Sequence, residues 1–138
     1  MAYDFPDVDD DDFIEEQEVA DQYHEIDNLT MSDYQEEAMA YRLPSADHVY
    51  ALLNLSGEVG ELLSKVAKHI RDHVDTEDED YLYAYREAIG YEIGDVLWMC
   101  AAIADDFDLD LGEVAYFNLK KLQDRSERNK IKGSGDTR

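Results

Sequence analysis

The chain has a single cysteine, Cys100, which excludes an internal disulfide and fits a reducing compartment. No apolar run reaches the roughly 18 uncharged residues that a membrane span needs. The N-terminal residues lack a basic stretch followed by an apolar core, so no secretory signal is expected. There is no CxxC pair, no glycine-rich phosphate loop, no strand-like alternation and no internal repeat. A Glu-x-x-His motif, which a di-iron bundle requires, is also missing. Basic residues are scarce: 12 Lys and Arg stand against 35 Asp and Glu, giving a formal net charge of −23. Such a surface repels nucleic-acid phosphates and anionic membranes, so neither is expected as a partner. It repels a free nucleotide as well, so a nucleotide site here needs cations placed locally. These absences lead to the expectation of a soluble, cytoplasmic protein.

What is present is one domain's worth of chain, 138 residues with an ordinary 44% of hydrophobic residues. Residues 1–28 hold twelve acidic residues and no Lys or Arg, including Asp9-Asp10-Asp11-Asp12. The stretch 1–29 reads as a weakly ordered acidic extension, with a short helix around Phe13 to Tyr23, and 30–138 as the folded domain. A docking arm or a nucleic-acid mimic is the other reading of that extension.

From Thr30 onward the pattern is helical. Ser32 with Gln35 makes a capping-box pattern for a first helix that stops before Pro44. A second helix starts near Ser45 to Asp47. Its Val49, Leu52, Leu53, Val59, Leu63, Val66, Ala67 and Ile70 follow the spacing of a buried stripe. The polar run Asp75 to Asp80 reads as a connection, and a third helix spans about Tyr81 to Phe107. Asp108-Leu109-Asp110 breaks the pattern, and Asp110 with Glu113 caps a fourth helix ending before Gly133. The expected fold is an all-α, four-helix-type bundle.

The third helix carries the chemistry. Between Ala88 and Ala104 the only formal charges are Glu92 and Asp95. On a helical projection Glu92 shares a face with Ala88, Val96, Met99 and Ile103, and Asp95 lies only about 60° away. Burying adjacent carboxylates without compensation costs several kcal/mol. The stretch has no Lys or Arg of its own, so the compensation must come from outside it, and a metal ion is the economical choice. The second helix offers Glu58 and Glu61, again at i, i+3. Alone, that pair also fits a solvated face shared with Lys65 and Lys68. If the two helices form an antiparallel hairpin, Glu61–Glu92 and Glu58–Asp95 share one sequence midpoint inside the polar connection, so both pairs stand at one height. Convergent oxygen donors without His or Cys suit Mg²⁺, or Mn²⁺ in its place. The same reasoning for the next hairpin brings Asn118, Lys121 and Arg125 of the fourth helix to that height. Cations beside an acidic metal site are what a polyphosphate substrate requires, and Lys65 joins that trio as a candidate substrate contact.

Glu58-x-x-Glu61 followed by Glu92-x-x-Asp95 resembles the signature of MazG-type proteins of the all-α nucleoside triphosphate pyrophosphatase superfamily. The flanks agree: Ser56-Gly57-Glu58-Val59-Gly60-Glu61-Leu62, Glu92 to Trp98, Asn118 to Arg125, and the closing Lys132 to Arg138. The resemblance spans about residues 31–138. It implies a helical homodimer or homotetramer that binds two or three Mg²⁺ per site. It also implies cleavage of nucleoside or deoxynucleoside triphosphates to monophosphate and pyrophosphate. Glu58, Glu61, Glu92 and Asp95 would be the metal ligands, one carboxylate such as Glu58 would help activate water, and Lys121 and Arg125 would contact phosphate. Some relatives place a Tyr where this chain has Met99, which leaves base and sugar selectivity open. A biosynthetic nucleotide such as phosphoribosyl-ATP is an alternative substrate, and an acidic protein that sequesters a basic partner is an alternative function. His69 and His73, at i, i+4, read as surface histidines rather than a metal pair. Trp98 reads as core or subunit interface rather than a stacking platform. Gly133 to Asp136 fits either a mobile tail or a flap over phosphates.

Overall fold

Short polar side chains at the helix starts decide where this chain becomes helical. Asp47 accepts from the backbone N–H groups of Val49 and Tyr50 at 3.0 and 3.1 Å. Asp78 accepts from Tyr81 N–H at 3.1 Å, and Asp110 from Glu113 N–H at 2.7 Å. Each satisfies a donor that the first helical turn leaves open. The Glu113 N–H, with the Ser32 hydroxyl, holds the Asp110 carboxyl below the usual carboxylate range. The computed structural model describes residues 27–128. In it four helices follow these caps: α1 Met31–Ala40, α2 His48–His73, α3 Glu79–Asp106 and α4 Leu111–Glu127. No strand occurs among the described residues, and the fold is all-α. The expected helix around Phe13 to Tyr23 and the Lys132 to Arg138 segment lie outside them.

The cap of α1 differs from the expected one. Thr30, not Ser32, is the N-cap, and its capping-box partner is Asp33. Asp33 N–H donates to Thr30 Oγ1 at 3.1 Å, and Thr30 N–H donates to Asp33 Oδ2 at 3.1 Å. Ser32 and Gln35 are used elsewhere. The Ser32 hydroxyl donates to Asp110 Oδ1 at 2.9 Å. The Gln35 amide donates to Leu109 O at 2.9 Å and accepts from Leu111 N–H at 2.6 Å. Both side chains therefore tie the start of α4 to α1. Gly112 permits the approach, because a Cβ there would run into Ser32 Oγ.

α2 and α3 form an antiparallel hairpin and share the most extensive contact in the fold. At its turn end His73 packs on Tyr81 and His69 stacks on Tyr85, each with ring centroids 4.2 Å apart. Further along, Asn54 Nδ2 lies 3.8 Å from Met99 Sδ. These contacts have nearly the sequence midpoint expected of the acidic pairs, so the register of the hairpin is the expected one.

Which face of α2 lies against α3 was not as expected. Ala51 is buried, and Leu55, Glu58, Leu62, Lys65, Val66 and His69 are half-buried. Of the expected apolar stripe, Leu53, Leu63 and Ile70 are 68%, 60% and 58% exposed, and only Val66 is partly covered. The stripe exists, but it points away from the rest of this chain. The core is accordingly small. Ala101, Ala104 and Leu111 form its centre, with Met31, Tyr34, Met39, Leu97 and Cys100 around them. Trp98 is half-buried and donates from Nε1 to Ala38 O at 3.3 Å, pinning α1 to α3 as a core residue would. Arg42 closes the far side. Its guanidinium donates to Ala46 O at 2.7 Å and Asp106 Oδ2 at 2.8 Å, placing a cation at the negative end of α3.

α4 does not return along α3 as its sequence midpoint suggested. α4 packs mainly on α1, touches α3 to a smaller extent, and does not pack against α2. The Ser32 and Gln35 bonds give the physical reason, since they hold the first turn of α4 on α1.

α3 ends in a Schellman arrangement: Leu109 N–H donates to Ala104 O at 2.9 Å and Asp108 N–H to Asp105 O at 3.1 Å. Asp108 adopts φ 54°, a left-handed conformation that favours glycine. It also puts a negative charge where the helix dipole is negative. Asp108→Gly should therefore raise stability by about 1 kcal/mol, and Asp108→Ala by much less. Thermal melts of the three proteins check this, and equal gains for Gly and Ala would assign the effect to charge alone.

Candidate metal centre

The α2 face turned toward α3 carries Asn54, Glu58, Glu61 and Lys65, one polar residue at nearly every turn. Asn54, Glu58 and Lys65 each have a partner in the seam. Asn54 Nδ2 donates to Glu58 Oε1 at 2.7 Å, fixing one oxygen of that carboxylate. Lys65 Nζ lies 3.3 Å from Glu92 Oε1 across the seam. Glu92 is 7% exposed and is the one buried charged residue among the described residues. Its second oxygen, Oε2, is buried and has no hydrogen-bond partner. One oxygen each of Glu58, Glu61 and Glu92 lie within 4.8 Å of one another.

This arrangement fits a divalent cation on two counts. The donors are all hard carboxylate oxygens, the ligands that Mg²⁺ and Mn²⁺ take. And a buried, unpartnered carboxylate oxygen is a costly thing to leave in a fold unless something completes it. Three carboxylates against one ammonium also leave a net negative charge in the seam. No other group of three His, Cys, Asp or Glu among the described residues comes together in this way.

The structure brings Glu58, Glu61 and Glu92 together as their spacing predicted. Asp95 is exposed and does not belong to that group of three. It lies on the side of α3 near α1. Burial pushes the Tyr34 hydroxyl up from its ordinary pKa, with the Asp95 carboxylate adding to the shift and Cys100 after it. The compensation expected from outside α3 exists in part within the chain, as Lys65. Asn118, Lys121 and Arg125 are on α4 and are not brought against the carboxylates within one chain. Asn118 and Lys121 instead line an open groove beside Leu109 to Phe117, about 580 Å³ in volume. His69 and His73 are committed to the tyrosine stack, and His69 Nδ1 is 3.2 Å from the Tyr81 hydroxyl. Asn54 was not foreseen. Its signal was legible, because it precedes Glu58 by four residues on the same helical face.

These features define a class: an all-α protein with a carboxylate-only site between two antiparallel helices. Residues 47–129 match the MazG nucleotide pyrophosphohydrolase domain, and the chain belongs to that family. The match begins at the α2 cap and contains the whole α2–α3 seam and α4. Gene 37 protein of Mycobacterium phage L5 is 41% identical over 89 residues, covering 64% of this chain and 75% of that protein. No solved structure matches the chain.

Glu61 accepts no hydrogen bond among the described residues yet sits against two other carboxylates. In EDTA, Glu61→Gln should melt higher than wild type, by on the order of 1 kcal/mol at low salt, with the gain shrinking as ionic strength rises. A lower melting temperature for the variant would mean that Glu61 has a favourable role in the cation-free fold.

Proposed function

We propose that this chain hydrolyses nucleoside or deoxynucleoside triphosphates to the monophosphate and pyrophosphate, using Mg²⁺, or Mn²⁺ in its place. The observation that carries this reading is the seam itself: three carboxylate oxygens within 4.8 Å of one another, with the buried Oε2 of Glu92 unpartnered, inside the family match. Water attacks the α-phosphorus, the bond from it to the bridging oxygen breaks, and pyrophosphate leaves. Glu58, Glu61 and Glu92 would hold the ions, and Asp95, outside that group of three in this chain, would join them. When bound, Mg²⁺ acidifies water and offsets the charge that builds on the departing pyrophosphate. Asn54 restrains one oxygen of Glu58, which leaves the other to accept the proton of the attacking water; Glu61 is the neighbouring choice for that role. Asn118, Lys121 and Arg125, with Lys65, contact the phosphates.

The working form is a homodimer or homotetramer in the cytoplasm, with neither nucleic acid nor membrane as partner. Two exposed apolar faces support assembly. One is the outer stripe of α2, with Leu53 and Leu63, and the other is on α4, where Leu119 and Leu122, at i, i+3, are 65% and 44% exposed. Patches of this kind are uncommon on a stable monomer. Among the described residues no helix is long and apolar enough to cross a membrane. Light scattering at micromolar concentration tests assembly, and a monomer there would remove it.

The catalytic reading has its own test. With Mg²⁺ or Mn²⁺ the purified protein should release pyrophosphate, not orthophosphate, from at least one nucleoside triphosphate. Glu61→Gln and Asp95→Asn should each lower turnover by roughly a hundredfold or more. Rates like those of wild type in both variants would overturn the site.

A further inference from the structure

Lys65 occupies an unusual place for a lysine. Its ammonium sits 3.3 Å from Glu92 Oε1 in a seam that also holds Glu58 and Glu61. The two partners differ in their freedom to leave. The Glu92 side chain is 9% exposed, whereas that of Lys65 is 38% exposed. A lysine has a flexible four-carbon stem and a strongly hydrated head, so Lys65 can swing into water while Glu92 stays. A divalent ion placed on the same carboxylates brings twice the charge of the ammonium, which leaves the buried Oε2 unsatisfied. The ammonium and the ion then repel each other at close range.

We propose that Lys65 is a resident counter-ion of this site, holding Glu92 in the cation-free protein and released toward solvent when a divalent ion enters. This rests on the reading of the carboxylates as a divalent-ion site. Ion binding is then an exchange and not a simple addition. A monovalent ion would replace one positive charge with another and gain little, so Lys65 biases the site toward divalent ions. The same exchange frees a cation at the moment when a polyphosphate can use it.

Two measurements on the full chain without nucleotide test the exchange. The first is Mn²⁺ binding, followed by loss of the free-ion electron paramagnetic resonance signal. Lys65→Met should bind Mn²⁺ about threefold tighter or more, while melting lower than wild type in EDTA. The second uses wild type alone: acetylation by acetic anhydride, read by mass spectrometry with Lys68 as internal reference. Labelling of Lys65 should rise at least about twofold on Mn²⁺ addition, as its head leaves Glu92 for water. Mn²⁺ binding that is unchanged or weaker in folded Lys65→Met would overturn the proposal. So would Lys65 labelling that Mn²⁺ does not alter, and that result decides the matter if the variant fails to fold. Failure of wild type to bind Mn²⁺ removes the site reading and this proposal together. Binding with an unmoved Lys65 removes only the exchange.

Discussion

Carboxylates facing each other across the main helix–helix contact are the constraint around which this chain is arranged. Glu58 and Glu61 come from α2 and Glu92 from α3, and their oxygens lie within 4.8 Å of one another. Water cannot relieve Glu92, which is nearly covered. The relief comes from the seam itself, through the Asn54 amide on Glu58 and the Lys65 ammonium on Glu92. Neither is complete, since one oxygen of Glu92 stays unpartnered. A seam selected for stability alone would carry leucine or alanine at these positions, because buried charge pairs are often replaced by apolar residues without loss. The histidine–tyrosine stack at the turn end then has a clear physical role. By packing His69 on Tyr85 and His73 on Tyr81 it fixes the register that the repelling acids cannot fix themselves.

Sequence was a good guide to this seam for a specific reason. Helix periodicity and an antiparallel register are both one-dimensional quantities, so matched midpoints are enough to align Glu58 and Glu61 with Glu92. The polar run that became the turn was equally plain. Sequence was a poor guide wherever a residue had two available partners. Ser32 and Gln35 look like a capping box, but Thr30 and Asp33 form one and leave Ser32 and Gln35 to hold α4. That diversion takes Asn118, Lys121 and Arg125 off the path that midpoint reasoning gave them. Asp95 satisfies the register yet is turned toward the Tyr34 side of α3, because an i, i+3 pair spans about 60° of helix surface and both members need not enter one seam.

The instructive error concerns the apolar stripe of α2. Periodicity says that one face of a helix is apolar, and it says nothing about which molecule covers that face. Here the face toward α3 carries the acids and their partners, while Leu53, Leu63 and Ile70 point outward. The inward face of the helix is mixed within one chain, with the acids and Lys65 set among Ala51, Leu55, Leu62 and Val66. Read as an intramolecular core, the stripe is misplaced; read as a surface for a second copy of the chain, the same residues fit the assembly proposed above.

The distribution of charge leads to the same place. Seven of the twelve basic residues fall in residues 120–138, whereas the clustered carboxylates belong to α2 and α3. On a chain of net charge −23, a polyphosphate is held only where cations are concentrated. Lys65 is the one lysine or arginine in the α2–α3 seam that pairs with the carboxylate cluster. Under the exchange proposed above, this ammonium and the ions it yields to would serve the metal side of the chemistry. The rest of a polyphosphate's charge would then call for α4, which this chain alone holds against α1. In the assembly proposed above, the exposed faces of α2 and α4 would let the basic segment of one copy serve the carboxylates of another, and the apolar surface and the divided charge would then have one explanation.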